Sequence, residues 1–178
     1  MNETLQMLTG GDLRSEGRAA EVAAQVIGDP GSLPALAEGL ALDDKLIRAR
    51  TCMSMEVLSR SHPELLEPLV SELIRTAEQE AVAQARWHLA ETFGNVPLDR
   101  KQAERAVSIL LEYLEDKSRI VTYCAVQALG VLGKQSARRS EIAAAVQRHA
   151  GDSKSMAKAV ARALAKLELA GPGGDSRA

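Results

Sequence analysis

The sequence predicts an all-α protein, an α-solenoid of about four to five helical hairpins. One pattern of apolar residues recurs four times along the chain, and a second amphipathic segment precedes each copy. Aromatic residues make up only 2% of the 178 residues, and Ala, Leu and Val supply most of the 46% that are hydrophobic. A composition so rich in Ala and Leu favours closely packed helices over sheets.

The repeated pattern places apolar or small residues at offsets 0, 4, 5, 7, 8 and 11 from its first residue. At 100° per residue, most of these offsets fall on one side of a helix. The copies begin at positions 47, 85, 121 and 156, so successive copies are 38, 36 and 35 residues apart. The four copies are Ile47–Leu58, Ala85–Val96, Val121–Leu132 and Met156–Leu167.

The amphipathic segment before each copy completes a hairpin, because two adjacent amphipathic helices can bury their apolar faces together. These segments are Pro34–Leu42, Glu64–Ile74, Gln102–Leu114 and Ile142–Ala150, with Glu3–Thr9 and Ser15–Ile27 as an atypical first pair. Gly94 and Gly133 lie where helices are predicted to stop, and we expect both to adopt the left-handed conformation that closes a helix.

The last three copies approach the motif V-R-x-x-A-A-x-A-L-G-x-L, which resembles the HEAT-like repeats, including the short variety found in bilin-lyase-type proteins. The resemblance covers about residues 12–169, nearly the whole chain. It implies a solenoid in which the second helix of each hairpin lines a concave face that binds partners. The motif arginine is present as Arg48 and Arg86 but is replaced by Thr122 and Ala157. A continuous ladder of charged contacts between repeats is therefore not expected.

The chain is predicted to form one solenoid domain over residues 1–170, followed by a flexible Gly-rich tail over 171–178. Cys52 and Cys124 form no C-x-x-C pair and are expected to be buried, reduced thiols. The sequence shows neither a signal peptide nor a membrane-spanning stretch, so the prediction is a cytoplasmic protein. Residues 1–100 carry 9 Lys and Arg against 16 Asp and Glu, whereas residues 101–178 carry 13 against 8.

No constellation of residues typical of catalysis is found, and we expect neither enzymatic activity nor a cofactor or metal. The histidines His62, His88 and His149 are far apart in sequence and form no metal-binding pair. The HEAT-like di-iron hydroxylases carry repeated His-Glu pairs, which this chain lacks. There is also no phosphate-binding glycine loop and no G-x-S-x-G motif.

We predict that the binding surface lies on the side of each repeat helix opposite its core positions, at offsets 2, 6, 9 and 13. Trp87 and Tyr123, two of only four aromatic residues, share offset 2 and should be neighbours. Trp and Tyr often anchor protein interfaces, although covering a thin, Ala-rich core is the competing interpretation. The predicted surface comprises Ala49, Met53, Glu56, Arg60, Trp87, Glu91, Tyr123, Gln127, Lys134, Lys158 and Arg162, with His88 at its flank.

The leading functional hypothesis is a binding scaffold that recognises a protein or peptide on its concave face. A second hypothesis is nucleic-acid binding through the C-terminal basic stripe, where Lys154, Lys158, Arg162 and Lys166 follow one another at four-residue spacing. A third is a lyase or cofactor-chaperone role, which follows only from analogy with the bilin-lyase repeats. Two other interpretations of the stripe are solvation of a polar terminal helix and contact with an acidic surface of a partner.

Overall fold

A computed structural model describes residues 1–168 of the chain. Within these residues the protein forms ten α-helices and no strand, which confirms the all-helical prediction. The predicted flexible tail, residues 171–178, lies outside the described residues. The helices are α1 Glu3–Gln6, α2 Ala19–Gly28, α3 Leu33–Ala37, α4 Lys45–Ser61, α5 Val70–Gln79, α6 Ala83–Asn95, α7 Arg100–Tyr113, α8 Arg119–Leu132, α9 Arg139–Gln147 and α10 Lys154–Glu168.

The four copies of the apolar pattern lie on α4, α6, α8 and α10, which we call the repeat helices. These helices pack in chain order: α4 contacts α2 and α6, α6 also contacts α8, and α8 also contacts α10. The first residues of the four copies, Ile47, Ala85, Val121 and Met156, are all buried. The predicted core side of each repeat helix is therefore the side that packs inside the protein.

Three of the helices that precede the repeat helices are less regular than the sequence suggests, whereas α7 is continuous over Arg100–Tyr113. The predicted helix Glu64–Ile74 begins as a 3-10 segment, Pro63–Leu69, and becomes α-helical only from Val70. Pro68 lies inside this segment, and proline lacks the N–H that a continuous α-helix requires. Short 3-10 segments also extend α3 and α9, at Glu38–Ala41 and Arg148–Gly151.

Successive repeat helices approach each other most closely where offset 9 of one meets offset 7 of the next. A Cβ atom on Gly130 of α8 would lie 2.7 Å from Cα of Ala163 on α10. The equivalent contact between α6 and α8 is looser, because a Cβ on Gly94 would lie 3.6 Å from Cα of Ala128. Only a very small residue fits the first of these contacts, so Gly130 sets the separation of α8 and α10.

The predicted left-handed glycine caps at Gly94 and Gly133 are wrong. Gly94 lies within α6, and Gly133 follows α8 with a right-handed φ of −65°. Positive φ angles occur, among the residues described, at Gly10, Gly11 and Gly17 near the N-terminus. Close helix packing therefore explains the glycine of the repeat motif better than helix termination does.

Ion pairs join the first three repeat helices at their N-terminal ends. Arg48 of α4 pairs with Glu80 at 2.5 Å, and Arg86 of α6 pairs with Asp116, which precedes α8, at 2.7 Å. Thr122, which stands in place of the next arginine, makes only long contacts of 3.4 to 3.5 Å to carbonyl oxygens. The ion pairs made by the motif arginine thus stop after two repeats, as its replacement by Thr122 predicts. Other arginines join the last two repeats, since Arg119 donates to the Asp152 carbonyl at 2.8 Å and Arg148 lies 3.5 Å from Glu115.

The Glu80 carboxylate is completely buried, whereas Arg48 remains 17% exposed. Burial raises the pKa of Glu80, but hydrogen bonds from Arg48 and the Val82 backbone, with the Arg48 charge, bring it below its ordinary value. Glu80 Oε1 accepts the Val82 N–H at 2.7 Å just before α6 begins. Glu80 therefore joins α4 to the start of α6.

We predict that Gly130→Ala lowers the free energy of unfolding by about 1–3 kcal/mol, because the new methyl group must displace the backbone of α10. Replacing Gly by Ala in a helix interior by itself stabilises the helix by about 1 kcal/mol, and we expect the cost of the displaced backbone to outweigh this gain. Gly94→Ala is the matched control, since its methyl group meets Ala128 at an ordinary contact distance, and it should be neutral or slightly stabilising. Denaturant midpoints measure both effects, and equal midpoints for the two variants contradict the assigned helix contact.

We predict that Arg48→Met lowers the free energy of unfolding by about 3 kcal/mol at neutral pH, because Glu80 then stays buried without its cation. Because the pKa of Glu80 is lowered in the folded parent, its ionised form stabilises the fold fully above the unfolded-state pKa. This contribution is lost as the pH falls from there through the folded-state pKa. The difference between variant and parent should therefore shrink as the pH falls below about 4.5.

Arg75→Met is the control for this ion pair, because Arg75 is 63% exposed and pairs with Glu72 on the surface. Its loss should stay within about 0.5 kcal/mol at every pH. Urea unfolding across a pH series measures both variants, and a pH-independent loss in Arg48→Met shows that the Glu80 charge is not involved.

Candidate partner-binding face

One side of the repeat helices presents partly exposed side chains at offsets 2, 6 and 10, and we call it the repeat-helix face. Its apolar and aromatic members are half-buried, and its cations on α10 are exposed. The face comprises Met53 and Val57 of α4, Trp87, Glu91 and Asn95 of α6, Tyr123, Gln127 and Val131 of α8, and Lys158, Arg162 and Lys166 of α10. Arg60 and Lys134, at offset 13, are exposed beside it.

Three residues predicted to lie on or beside this surface are buried instead. Ala49, Glu56 and His88 are only 4%, 2% and 4% exposed. Offset 9, the position of Glu56, faces the next repeat helix, as Gly94 and Gly130 do at the equivalent positions. His88 occupies offset 3, which at 100° per residue lies beside the core offsets and not opposite them. All three predictions are wrong, because the exposed side of the repeat helices is narrower than the assumed set of offsets and excludes even offset 2 on α4.

Trp87 lies in a groove of about 260 Å³ between the repeat helices and the N-terminal segment. Its apolar lining includes Leu13, Leu46 and Met53. The Trp87 indole also covers the His88 ring, with centroids 3.5 Å apart and planes tilted by 32°. Trp87 is thus half-buried, with one part of the ring packed on the protein and another open to the groove.

Residues 9–18 form the outer wall of this groove, and we call them the N-terminal strap. Arg50 of α4 is 3% exposed and holds the strap through hydrogen bonds from its guanidinium to backbone carbonyl oxygens. The acceptors are Leu8 and Gly10, at 2.8 and 2.6 Å, and more distantly Thr9, Asp12 and Ser15. A guanidinium has five donors in a rigid fork, so one buried side chain can hold several turns of an irregular segment.

The role of Arg50 was missed in the sequence, although a signal was present. Arg50 occupies offset 3, on the core side of the repeat, where a cation needs buried partners. The positive φ angles of Gly10, Gly11 and Gly17 let the strap fold closely around the guanidinium, since Gly adopts this conformation at little cost.

A cluster of charged side chains lies between α4 and α6, beside the Trp87 groove. Arg60 contacts the Glu56 carboxylate and donates to Glu91 Oε2 at 3.0 Å. His88 Nδ1 lies 3.6 Å from Glu56 Oε2. Burial raises the pKa of Glu56, but the facing His88 and the Arg60 charge hold it below its ordinary value. Arg60 thus shares its charge between two carboxylates, which leaves neither available as a strong cation site.

A second cavity, of about 250 Å³, connects this cluster with the C-terminal helix. Arg60, Glu91, Asn95, Gln127 and Lys166 supply its polar lining. The Cys124 thiol, also at the wall, donates to Glu91 Oε1 at 3.4 Å. Because Lys166 shares this cavity with residues of α4, α6 and α8, the C-terminal basic stripe borders the repeat-helix face.

The basic stripe consists of Lys154, Lys158, Arg162 and Lys166, all of which are exposed. None of the four forms an ion pair within residues 1–168, whereas Arg105 and Arg138 pair with Glu78 and Glu141. The stripe is therefore a row of cations without neutralising carboxylates on one side of α10.

The chemistry of the remaining groups is limited in the described part of the chain. Burial raises the pKa of Cys52 and of Cys124, so both thiols stay protonated and react slowly. Residues 1–168 hold no group of three His, Cys, Asp or Glu side chains arranged to bind a metal ion. No helix in this range is long and apolar enough to cross a membrane.

No protein-family model matches the chain, and no curated protein is significantly similar to it. The function is therefore inferred from the geometry of the repeat-helix face.

We predict that Arg50→Met releases the N-terminal strap while the helices stay folded, because methionine cannot donate to the strap carbonyls. The amide protons of Ser15 and Ala19, which bond within the strap region, should exchange at least about tenfold faster. Arg14→Met, at an exposed position of the same strap, is the control and should leave exchange unchanged. Hydrogen-exchange mass spectrometry measures this, and unchanged exchange in Arg50→Met means that other contacts hold the strap.

Proposed function

We propose that the protein is a binding scaffold that recognises a protein or peptide segment on its repeat-helix face. In this proposal the chain is a HEAT-like α-solenoid, with the repeat helices lining its concave side. The chain-order packing of α2, α4, α6, α8 and α10 and the recurring contacts between offsets 9 and 7 support that arrangement. Two buried, unpaired thiols are consistent with the reducing cytoplasm as its setting.

One observation carries the binding proposal: Trp87 and Tyr123 lie half-buried at the same offset of two adjacent helices. Neighbouring helices are about 8–10 Å apart, so both rings can contact one bound segment. Aromatic side chains held rigidly at the edge of a groove gain affinity at small entropic cost, and they dominate many interfaces. The Trp87 groove, with Met53, Leu13 and Leu46 in its lining, suits one apolar side chain of a partner.

The charged cluster behind the aromatic pair acts as a support in this proposal. Arg60 forms ion pairs with Glu56 and Glu91, and the His88 ring packs against the Trp87 ring. These contacts fix the rotamer of Trp87 before a partner arrives, which lowers the entropy lost on binding. We therefore assign the cluster no catalytic role and propose no cofactor.

Nucleic-acid binding is the second candidate, and the unpaired cations of the basic stripe are the observation that favours it. Binding to phosphates depends strongly on salt, so retention on DNA that is lost as salt increases is its signature. The acidic character of residues 1–100 and the apolar content of the repeat-helix face favour a protein partner instead.

The experiment selects peptides from a random displayed library on the full chain and compares their affinity for variants. We expect Trp87→Ala to weaken the selected peptides at least about thirtyfold, the factor that corresponds to about 2 kcal/mol. The thermal midpoint should stay within a few degrees of the parent, because only half of the ring is buried.

Ile27→Ala is the matched control, because Ile27 is an apolar side chain, 37% exposed, on α2 and outside the face. It should leave peptide affinity unchanged. Selected peptides that bind Trp87→Ala as tightly as the parent, or a selection that yields no binders, refute the proposed function.

A further inference from the structure

We infer that the partner is an acidic peptide segment that crosses the repeat helices, with an apolar side chain in the Trp87 groove and carboxylates on the basic stripe of α10. This inference rests on the proposed function and adds the chemistry and direction of the ligand. Its basis is the position of three exposed cations of the stripe at the α10 end of the face. Within residues 1–168 none of them pairs with a carboxylate, whereas the α4 and α6 end of the face carries Met53, Val57 and Trp87.

The register of the repeat helices places the two ends of the face in line. Trp87, Tyr123 and Lys158 share offset 2 on α6, α8 and α10. Glu91, Gln127 and Arg162 share offset 6 on the same helices. A segment that runs across these helices therefore meets an aromatic groove first, an uncharged stretch on α8 next, and cations last.

The cavity beside Lys166 shows that the basic stripe is continuous with the face. Lys166 lines it together with Arg60 of α4 and Gln127 of α8. Lys158 and Arg162 precede Lys166 by eight and four residues, so they lie on the same side of α10. A stripe that only kept a terminal helix soluble has no need to share a cavity with the other repeat helices.

The charge balance at this end of the face favours an anionic ligand. Glu91 lies on α6, away from this end, and pairs at 3.0 Å with Arg60, which also contacts Glu56. Lys158, Arg162 and Lys166 have no carboxylate partner within residues 1–168. Carboxylates of a bound segment can therefore pair with these cations without displacing an existing ion pair, and such pairing also increases the association rate.

The spacing of the helices sets the number of residues between the apolar and the acidic positions of the ligand. The distance between the axes of α6 and α10 is two helix separations of about 8–10 Å each, which makes about 16–20 Å in total. An extended chain advances about 3.3 Å per residue, so this span needs about five to six residues. The expected ligand thus carries an aromatic or aliphatic residue and, about five to six residues away, a group of Asp or Glu.

A protein segment fits these features better than a nucleic acid. Met53, Val57, Trp87, Tyr123 and Val131 make much of the face apolar. A phosphate backbone along the same path meets cations only at α10, whereas nucleic-acid sites usually present them across the whole surface.

The test uses peptides selected on the full chain and the triple variant Lys158→Glu, Arg162→Glu, Lys166→Glu. We expect the selected sequences to share the apolar and acidic positions at the stated spacing. The triple variant should weaken them at least about tenfold, since like charges then face each other. A peptide with its acidic group changed to lysine should bind the triple variant better than it binds the parent.

The matched control is Arg100→Glu, Lys101→Glu, Lys117→Glu, which makes the same charge change at exposed positions outside the face. It should change affinity less than about threefold, because exposed charges at a distance are screened by salt. An equal effect of the two triple variants overturns the inference, since it shows a response to net charge alone.

Other outcomes separate this inference from the proposed function. Peptides that need Trp87 but lack acidic residues, or bind the triple variant normally, overturn the inference and leave the proposed function intact. Peptides that ignore Trp87→Ala refute both. A single-stranded or duplex oligonucleotide that binds more tightly than every peptide, or self-association of the chain that the triple variant abolishes, assigns the stripe to another occupant and overturns the inference.

Discussion

The structure depends most on how closely successive repeat helices approach one another. At Gly130 and Ala163 the helices are so close that a single methyl group does not fit, and at Gly94 and Ala128 the contact is only slightly looser. Dispersion forces increase steeply as packed surfaces approach, so small residues at these positions let the flat sides of the helices meet. Because the same two offsets meet at the α6–α8 and α8–α10 junctions, these three helices keep one register and align their outward residues in columns.

The junction of α4 and α6 departs from this rule and is also where the candidate site lies. Glu56 stands at the offset that Gly94 and Gly130 occupy elsewhere, and a buried carboxylate there needs partners in place of close packing. Arg60 and His88 supply them, and His88 in turn packs under the Trp87 ring. A break in the packing pattern is thus filled by a polar cluster that contacts Trp87, one of the two half-buried aromatic residues of the face.

The sequence predicts the all-helical fold and the core side of the repeat helices because a strong apolar period fixes both. Trp87 and Tyr123 are half-buried at offset 2, which lies well away from the core offsets, whereas Ala49 at the same offset of α4 is buried. His88 and Arg50 both lie at offset 3, beside the core offsets, so periodicity indicates that each is buried. Periodicity does not indicate which segment covers each side chain, and that segment decides its role. For Arg50 that cover is the N-terminal strap, a segment with no apolar period of its own.

The fluorescence of Trp87, the only tryptophan in the chain, reports whether the repeat-helix face is open to solvent and to a ligand. If the repeat-helix face is a binding surface, the ring must be accessible before a partner arrives and protected afterwards. We expect acrylamide to quench the fluorescence of Trp87 in the free protein. A peptide selected on the full chain should suppress this quenching and shift the emission to shorter wavelength. A blue-shifted emission that resists quenching in the free protein means that the ring belongs to the core, and it contradicts the account.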